Sequence, residues 1–571
     1  MIRNSMLGIF LFVAACAPVQ PPATSVGTSA GAGAWDSFVR SFIDSYFETR
    51  PDLAVNAGRH EFDGRLPDYS PQGLARQVAM LTDNRARAAA FDTTSLDAPR
   101  RLEREYLIAT SDGLLWWLTK ADGPHTNPAW YSGGLDPDTY LTRPYAPLDQ
   151  RMRAYTAYAR SIVRALPQIR ANLKTPLPRT FIDRGRGIFG GFASFFADDV
   201  PPVFASVADP QLRSEFKRAN DSAIVAMRAM DTWFESLRPT QTENFAIGPE
   251  LFRSMIYDIE RVNTPLDELE RIGRADLVRN QTALRSACAQ FAPGASIADC
   301  VSREEAHKPD VGTVEAARRQ LTELRQFLID KNIVTIPGPE LALVGESPPY
   351  QRYNFAYIQI AGPYEKNMPS TYYVAPPDPT WTPKERAEYV PGRADLLFTS
   401  VHEVWPGHFL QFLHANRSPS KFGQVFVGYA FAEGWAHYSE EMMWESGLGN
   451  GDPETHIGQL LNALLRNVRY LSAIGMHTKG MTVAESERMF REEGFQDGGT
   501  ARQQAARGTF DPEYLDYTMG KLMIRKLRSD WTATRGGPSA WKSFHDAFLA
   551  YGGPPVPLVR RAMLGSSGNL F

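Results

Sequence analysis

A mainly α fold with a small β-sheet near its middle is what this 571-residue sequence predicts, on three observations. Apolar residues recur three and four positions apart through residues 35–58, 148–173 and 313–334, the spacing of helices that bury one face. Strand-like runs of note are confined to 353–376, in "YNFAYIQIAGPYE" and "TYYVAPP". The composition is that of a folded chain: 43% hydrophobic, with 32 Phe, 22 Tyr and 11 Trp, which argues against disorder. Lys and Arg number 61 against 64 Asp and Glu, and a net charge of −3 leaves no basic footprint for nucleic acid and no polybasic membrane patch.

The N-terminus divides into two short segments before the folded body. Residues 1–15 combine Arg3, an apolar run from Met6 to Ala15 and small residues, the pattern of a secretion signal. The run falls well short of the ~20 residues a membrane helix needs. Val13-Ala14-Ala15-Cys16 resembles a bacterial lipobox, which makes Cys16 the lipidation site and the membrane a partner only through lipid. Ala17, where an aspartate would suggest inner-membrane retention, points to the periplasmic face of the outer membrane. The plainer alternative is a secreted protein with a coincidental cysteine. Residues 16–34 are rich in Pro, Ala, Ser and Gly and read as a flexible lipid-anchored tether. Residues 35–571 show no further shift in composition, no repeat and no linker, and read as one large unit of two lobes. In an oxidising compartment Cys288 and Cys300, on either side of a Pro/Gly turn, are disulfide candidates.

The chemistry concentrates in "TSVHEVWPGHFLQFLHANR", residues 399–417. His402-Glu403 begins as a zinc-peptidase helix does, but Pro406 stands where the second histidine belongs and the next is His408. Six residues of regular helix would set the two rings about 240° apart, too far for one metal ion. Pro406 cannot donate to the carbonyl of His402, and Gly407 tolerates unusual backbone angles. A bulge or break at 405–407 would let His402 and His408 converge. Nothing interrupts the helix between His408 and His414, so His414 is expected at the helix surface. Farther on, "FAEGWAHYSEEMMWE" places Glu433, His437, Glu440 and Glu441 on one face of a helix that is otherwise apolar nearly all round. A glutamate there needs a partner, and a metal is an adequate one. His402, His408 and Glu433 are therefore the expected ligands of one zinc ion, Glu403 is the expected general base, and His437 and Glu440 are expected behind the ligands.

These residues carry a resemblance. "HEVWPGHFLQ", "FAEGWAHYSEE" and "YTMGKLMIRKLR", in that order, resemble the bacterial "domain of unknown function 885" family, whose members share HExxPGH, EGWA and a late Y-x-x-G. The family is similar to helical, glutamate-ligand zinc peptidases (gluzincin-like) with a site between two lobes. The resemblance implies a two-lobed, zincin-like peptidase fold with the sheet near the active-site cleft. It assigns the zinc ligands and base as above and suggests Tyr517, which heads the late motif, as an oxyanion donor. Tyr372, Tyr373, Lys521 and Arg525 are further candidates near substrate. Two departures stand out: Phe409 replaces a second histidine usual in the family, and His437 replaces an aliphatic residue. The expected activity is hydrolysis of short peptides in the cell envelope. The alternatives are a zinc amidase acting on cell-wall or other non-protein amides, and a catalytically silent peptide-binding lipoprotein.

Overall fold

Two hydrophobic cores divide the chain in the computed structural model, which describes residues 26–348, 351–352, 355–377, 379 and 381–571. The signal segment 1–15 and Cys16 lie outside them. The first core is built by helices Val26–Thr49, Leu148–Asn172, Arg179–Asp198 and Pro210–Ser236, which bury Phe42, Tyr155, Ile162, Phe196 and Met227 among one another. The second runs from Phe252 to Val559 and is centred on the long helix Pro453–Thr478, buried nearly all round. The lobes exchange side chains: Phe422 and Leu558 of the second half lie in the first core, and Trp116 lies in the second. Side-chain bonds fasten the boundary, from Asn127 to the Phe510 carbonyl (2.9 Å) and from Ser420 to Glu103 (2.6 Å). The mainly helical, two-lobed architecture therefore agrees with the sequence, and no helix among the described residues is long and apolar enough to cross a membrane.

Helix boundaries follow local chemistry. Ser70, Asp209 and Asp452 each cap a helix with a side-chain oxygen, and the first residue inside is Pro71, Pro210 or Pro453, whose missing N–H is no loss there. The first helix starts at Val26, so residues 26–34 of the expected tether continue the helix that Trp35 anchors. Three alanines in that stretch are the best helix formers, set against three glycines, and the helix that Trp35 buries carries the segment along. Residues 16–25 of the tether lie outside the described residues.

The sheet has three strands in the order β1-β3-β2: β1 is Leu343–Glu346, β2 Ala356–Gln359 and β3 Thr371–Val374. β3 pairs in parallel with β1 and antiparallel with β2, setting Tyr372 opposite Ile358. Strands β2 and β3 were legible; β1 was not, because "LVGE" is exposed at both ends and sits in a Pro/Gly-rich stretch.

Cys288 and Cys300 form a disulfide joining helix Leu266–Phe291 to helix Ile297–Ala306, with Cα atoms 5.8 Å apart. Closing so short a loop stabilises a fold by about 3 kcal/mol through the unfolded chain. Replacing both cysteines by serine is expected to lower the unfolding free energy of the second lobe by about that amount in denaturant titrations, because the loop entropy returns to the unfolded state.

Candidate metal centre

The helix Arg393–Glu403 buries Leu396, Phe398 and Val401 and carries His402 on its last turn. It stops at Glu403, and a new helix, His408–Ala415, begins after four intervening residues. The expected interruption is therefore a full break, larger than a two-residue bulge. Pro406 ends the first helix by supplying no N–H, and the Trp405–Pro406 peptide is cis. Gly407 serves by its size: a Cβ there would stand 1.7 Å from the His402 carbonyl oxygen, and its N–H donates to the Val401 carbonyl (2.9 Å). The Trp435 indole N–H donates to the Pro406 carbonyl (2.8 Å), which pins the break to the helix Tyr429–Glu445 that bears Glu433.

These contacts bring His402, His408 and Glu433 together, with their ligand atoms all within 4.8 Å of one another. Nε2 of His402 and Nε2 of His408 stand 3.3 and 3.2 Å from the same oxygen, Oε2 of Glu433. That oxygen is buried yet has no hydrogen-bond partner. The reason lies on the far side of His402, where Nδ1 is 2.7 Å from Oε1 of Glu440. Burial raises the Glu440 carboxyl, but Arg466, His437 and His402 outweigh it and hold it well below the usual carboxylate range. An ionised Glu440 can only accept, so Nδ1 carries a proton, and in the neutral ring Nε2 is left as a lone pair facing the cluster. Lone pairs facing one another at this distance repel unless a cation lies between them. Donor atoms ~2.0–2.1 Å from one tetrahedral ion sit ~3.3–3.4 Å apart, so the His–Glu spacings fit a shared metal. The side chains of His408 and Glu433 remain 13% and 16% exposed, so solvent reaches the cluster.

Glu403 lies beside the cluster and accepts a hydrogen bond from the Ile358 N–H on edge strand β2 (3.1 Å). Burial, with the Glu433 charge adding and His408 opposing, pushes its carboxyl up to about 7. The His402 ring lies nearly parallel to that of Tyr517, their centroids 6.1 Å apart. Two glycines place Tyr517 there. A Cβ on Gly434 would meet Gly520 Cα at 2.5 Å, and one on Gly520 would meet the Ala430 carbonyl oxygen at 2.1 Å, so the helices Tyr429–Glu445 and Asp516–Thr532 cross backbone to backbone.

The other expected residues separate into groups. His437 is buried, its Nδ1 3.1 Å from Oε2 of Glu440, and burial pushes it down to about 3, so it is a neutral partner of Glu440. Tyr372 is buried with its hydroxyl 3.5 Å from Ser400 Oγ, whereas Tyr373, on the opposite face of the sheet, stacks on Tyr357. Lys521 and Arg525 do not present free charge to the cluster: Lys521 is 2.9 Å from Asp276, Arg525 is 3.3 Å from Glu441, and Arg279 joins the same network. His414 is half-buried and donates from Nε2 to the Thr335 carbonyl (2.9 Å), away from the metal ligands. Phe409 is buried against Trp405, so it takes no ligand's place. Sequence reading missed Arg466, Arg469 and Arg507, whose guanidinium carbons lie 5.8, 4.8 and 5.9 Å from the Tyr517 ring centroid. The signal was present: Arg466 and Arg469 interrupt the apolar helix Pro453–Thr478 on faces that have no solvent to meet.

The model of the bacterial family DUF885, described as a bacterial protein of unknown function, matches residues 51–563, and the chain belongs to that family. The structure is similar to one from Shewanella oneidensis described as a "putative lipoprotein of unknown function", with TM-score 0.76 and 25% identity over 93% of this chain and 99% of that one. It is also similar to a "putative lipoprotein" from Colwellia psychrerythraea, with TM-score 0.79 and 17% identity over 93% and 98% of the two chains. No curated protein matches the chain.

Removing the orienting carboxylate tests the centre directly. Glu440→Gln is expected to weaken zinc binding ~10–100-fold in competition with a chromophoric chelator, the usual effect of losing a carboxylate behind a ligating histidine. Unchanged affinity would mean that His402 is not held for a metal.

Proposed function

Taking membership of DUF885 as the premise, we propose that this protein is a zinc-dependent hydrolase that cleaves peptide bonds of short peptides in the cell envelope. One observation carries the reading: two imidazole nitrogens and a carboxylate oxygen converge without hydrogen bonds among them, and a second carboxylate, Glu403, stands next to them. His402, His408 and Glu433 would hold the ion. Zinc bound there would supply Lewis acidity, polarising a carbonyl and bringing the pKa of water towards ~7.

The chain's own residues supply the rest. Glu403 takes a proton from water as the oxygen adds to the peptide carbonyl carbon, then gives that proton to the amide nitrogen as the C–N bond breaks. Its Ile358 hydrogen bond fixes the carboxylate, so the proton acceptor is positioned before substrate arrives. Tyr517, whose ring lies nearly parallel to that of His402, is the candidate donor to the developing oxyanion. β2 is an edge strand, and such an edge suits an extended peptide chain by adding main-chain hydrogen bonds. That feature favours a peptide over a cell-wall amide. Glu403 weighs against a silent binding protein, because its carboxylate serves no ligand in the cluster. Lipid attachment at Cys16 would tether the enzyme to the membrane and leave the folded body in the periplasm.

Glu403→Gln is expected to retain zinc while hydrolysis of a peptide library falls at least ~10²-fold, the loss typical of a removed general base. The sign of the pH effect follows from the raised carboxyl. Glu403 works only when ionised, so kcat/KM should rise with pH through a midpoint at or below about 7, since a bound cation lowers it further. A library left uncut by the zinc-loaded wild type would overturn the reading.

A further inference from the structure

Three arginines surround Tyr517, and two of them are neutralised within the protein. Arg507 pairs with Asp511 at 2.8 Å, and Arg466 with Glu440 at 3.2 Å. Arg469 is different. Only 7% of it is exposed, its Nε donates to the uncharged Gln504 (2.8 Å), and among the described residues no carboxylate lies within ion-pair distance of it. Its two terminal nitrogens make no hydrogen bond to any described group, although the guanidinium lies 4.8 Å from the centre of the Tyr517 ring. A buried cation beside two others, without an anion, is a costly arrangement that a fold does not need for its own stability. Burial first, and then Arg507, pull Arg469 down to about 10, which still leaves it charged at neutral pH.

We propose that Arg469 receives the C-terminal carboxylate of the substrate, so that the enzyme trims peptides from their C-terminal end. The inference rests on the hydrolase reading above and names the substrate class of the same site. The terminal nitrogens of a guanidinium present the two-pronged donor geometry that a carboxylate accepts. Distance limits the length removed. Tyr517 links Arg469 to His402 through steps of 4.8 and 6.1 Å, and each extended residue beyond the scissile carbonyl advances the chain ~3.5 Å. Arg469 therefore meets a carboxylate no more than about three residues beyond the bond that is cut.

The test compares one short peptide as the free acid and as its C-terminal amide. For zinc-loaded wild type, kcat/KM for the acid should exceed that for the amide at least ~10-fold, the scale of a charged hydrogen bond. Arg469→Gln should remove that preference by slowing only the acid, and Arg469→Lys should restore part of it. Mass spectrometry should find products of one to three residues released from the C-terminus. Equal rates for acid and amide, or cleavage confined to the chain interior, would overturn the proposal and leave the hydrolase reading intact. Calorimetry with Glu403→Gln separates the two ideas further, because tighter binding of the acid than the amide, lost on adding Arg469→Gln, supports the carboxylate site whether or not turnover occurs. Equal binding of acid and amide overturns it. Inorganic phosphate is the control ligand: if it competes as strongly as the peptide acid, the site is a general anion site and the proposal fails.

Discussion

The Glu440 carboxylate is the constraint on which the centre depends. It is wholly buried, and its two oxygens face Nδ1 of His402 and Nδ1 of His437 while Arg466 stands 3.2 Å away. A carboxylate in such a place costs several kcal/mol to desolvate and persists only when its lone pairs are used. Here they are used to fix a tautomer. Because Nδ1 of His402 faces Glu440, the neutral ring leaves Nε2 as an acceptor, and the opening between His402, His408 and Glu433 could then take a cation. Arg466 in turn keeps Glu440 ionised, so the charge of the centre is set one layer behind the atoms that would touch an ion.

A second buried network balances the same region. Lys521 and Arg279 oppose Asp276 and Glu441, and Asn467 donates to Asp276 at 2.8 Å. Burial raises Asp276, but Lys521 and Arg279 outweigh it and hold it well below its ordinary range. The network ties the helices Leu266–Phe291, Tyr429–Glu445 and Asp516–Thr532 to one another. Removing any one member would leave its partners as uncompensated charges. Arg525 also meets Glu441, so three cations share two carboxylates here, and Arg469 stands outside this network with no carboxylate of its own among the described residues.

How much of this could be read in the sequence depends on whether the signal is local. Helical periodicity, the disulfide spacing and the His402/His408/Glu433 set were legible, because each rests on residue types and short spacings. Lys521 looked free to meet substrate, since its partner Asp276 lies 245 residues away in the chain and no spacing announces it, and nothing in the sequence pairs Arg525 with Glu441. Strand β1 was invisible for a related reason: four half-exposed residues carry no alternation, and their pairing with β3 is a tertiary fact. Arg469 had a local signal, a charge in an apolar helix, but which groups would face it could not be known until Tyr517 was placed.

The glycines of the three motifs show why such motifs hold together as a set. Gly407 lets the chain fold back against the His402 carbonyl, and Gly434 and Gly520 let two helices meet at their backbones. None of the three offers a functional group. Each sets a distance: between His402 and His408, and between Glu433 and Tyr517. A methyl group at Gly520 would push against the Ala430 carbonyl and drive the Tyr517 helix away from the Glu433 helix, separating the ring from His402 without touching a ligand. The groups that could act at the centre are those of His402, Glu403, His408 and Glu433, but its geometry is set by positions where the chain has given up side chains so that backbones can approach.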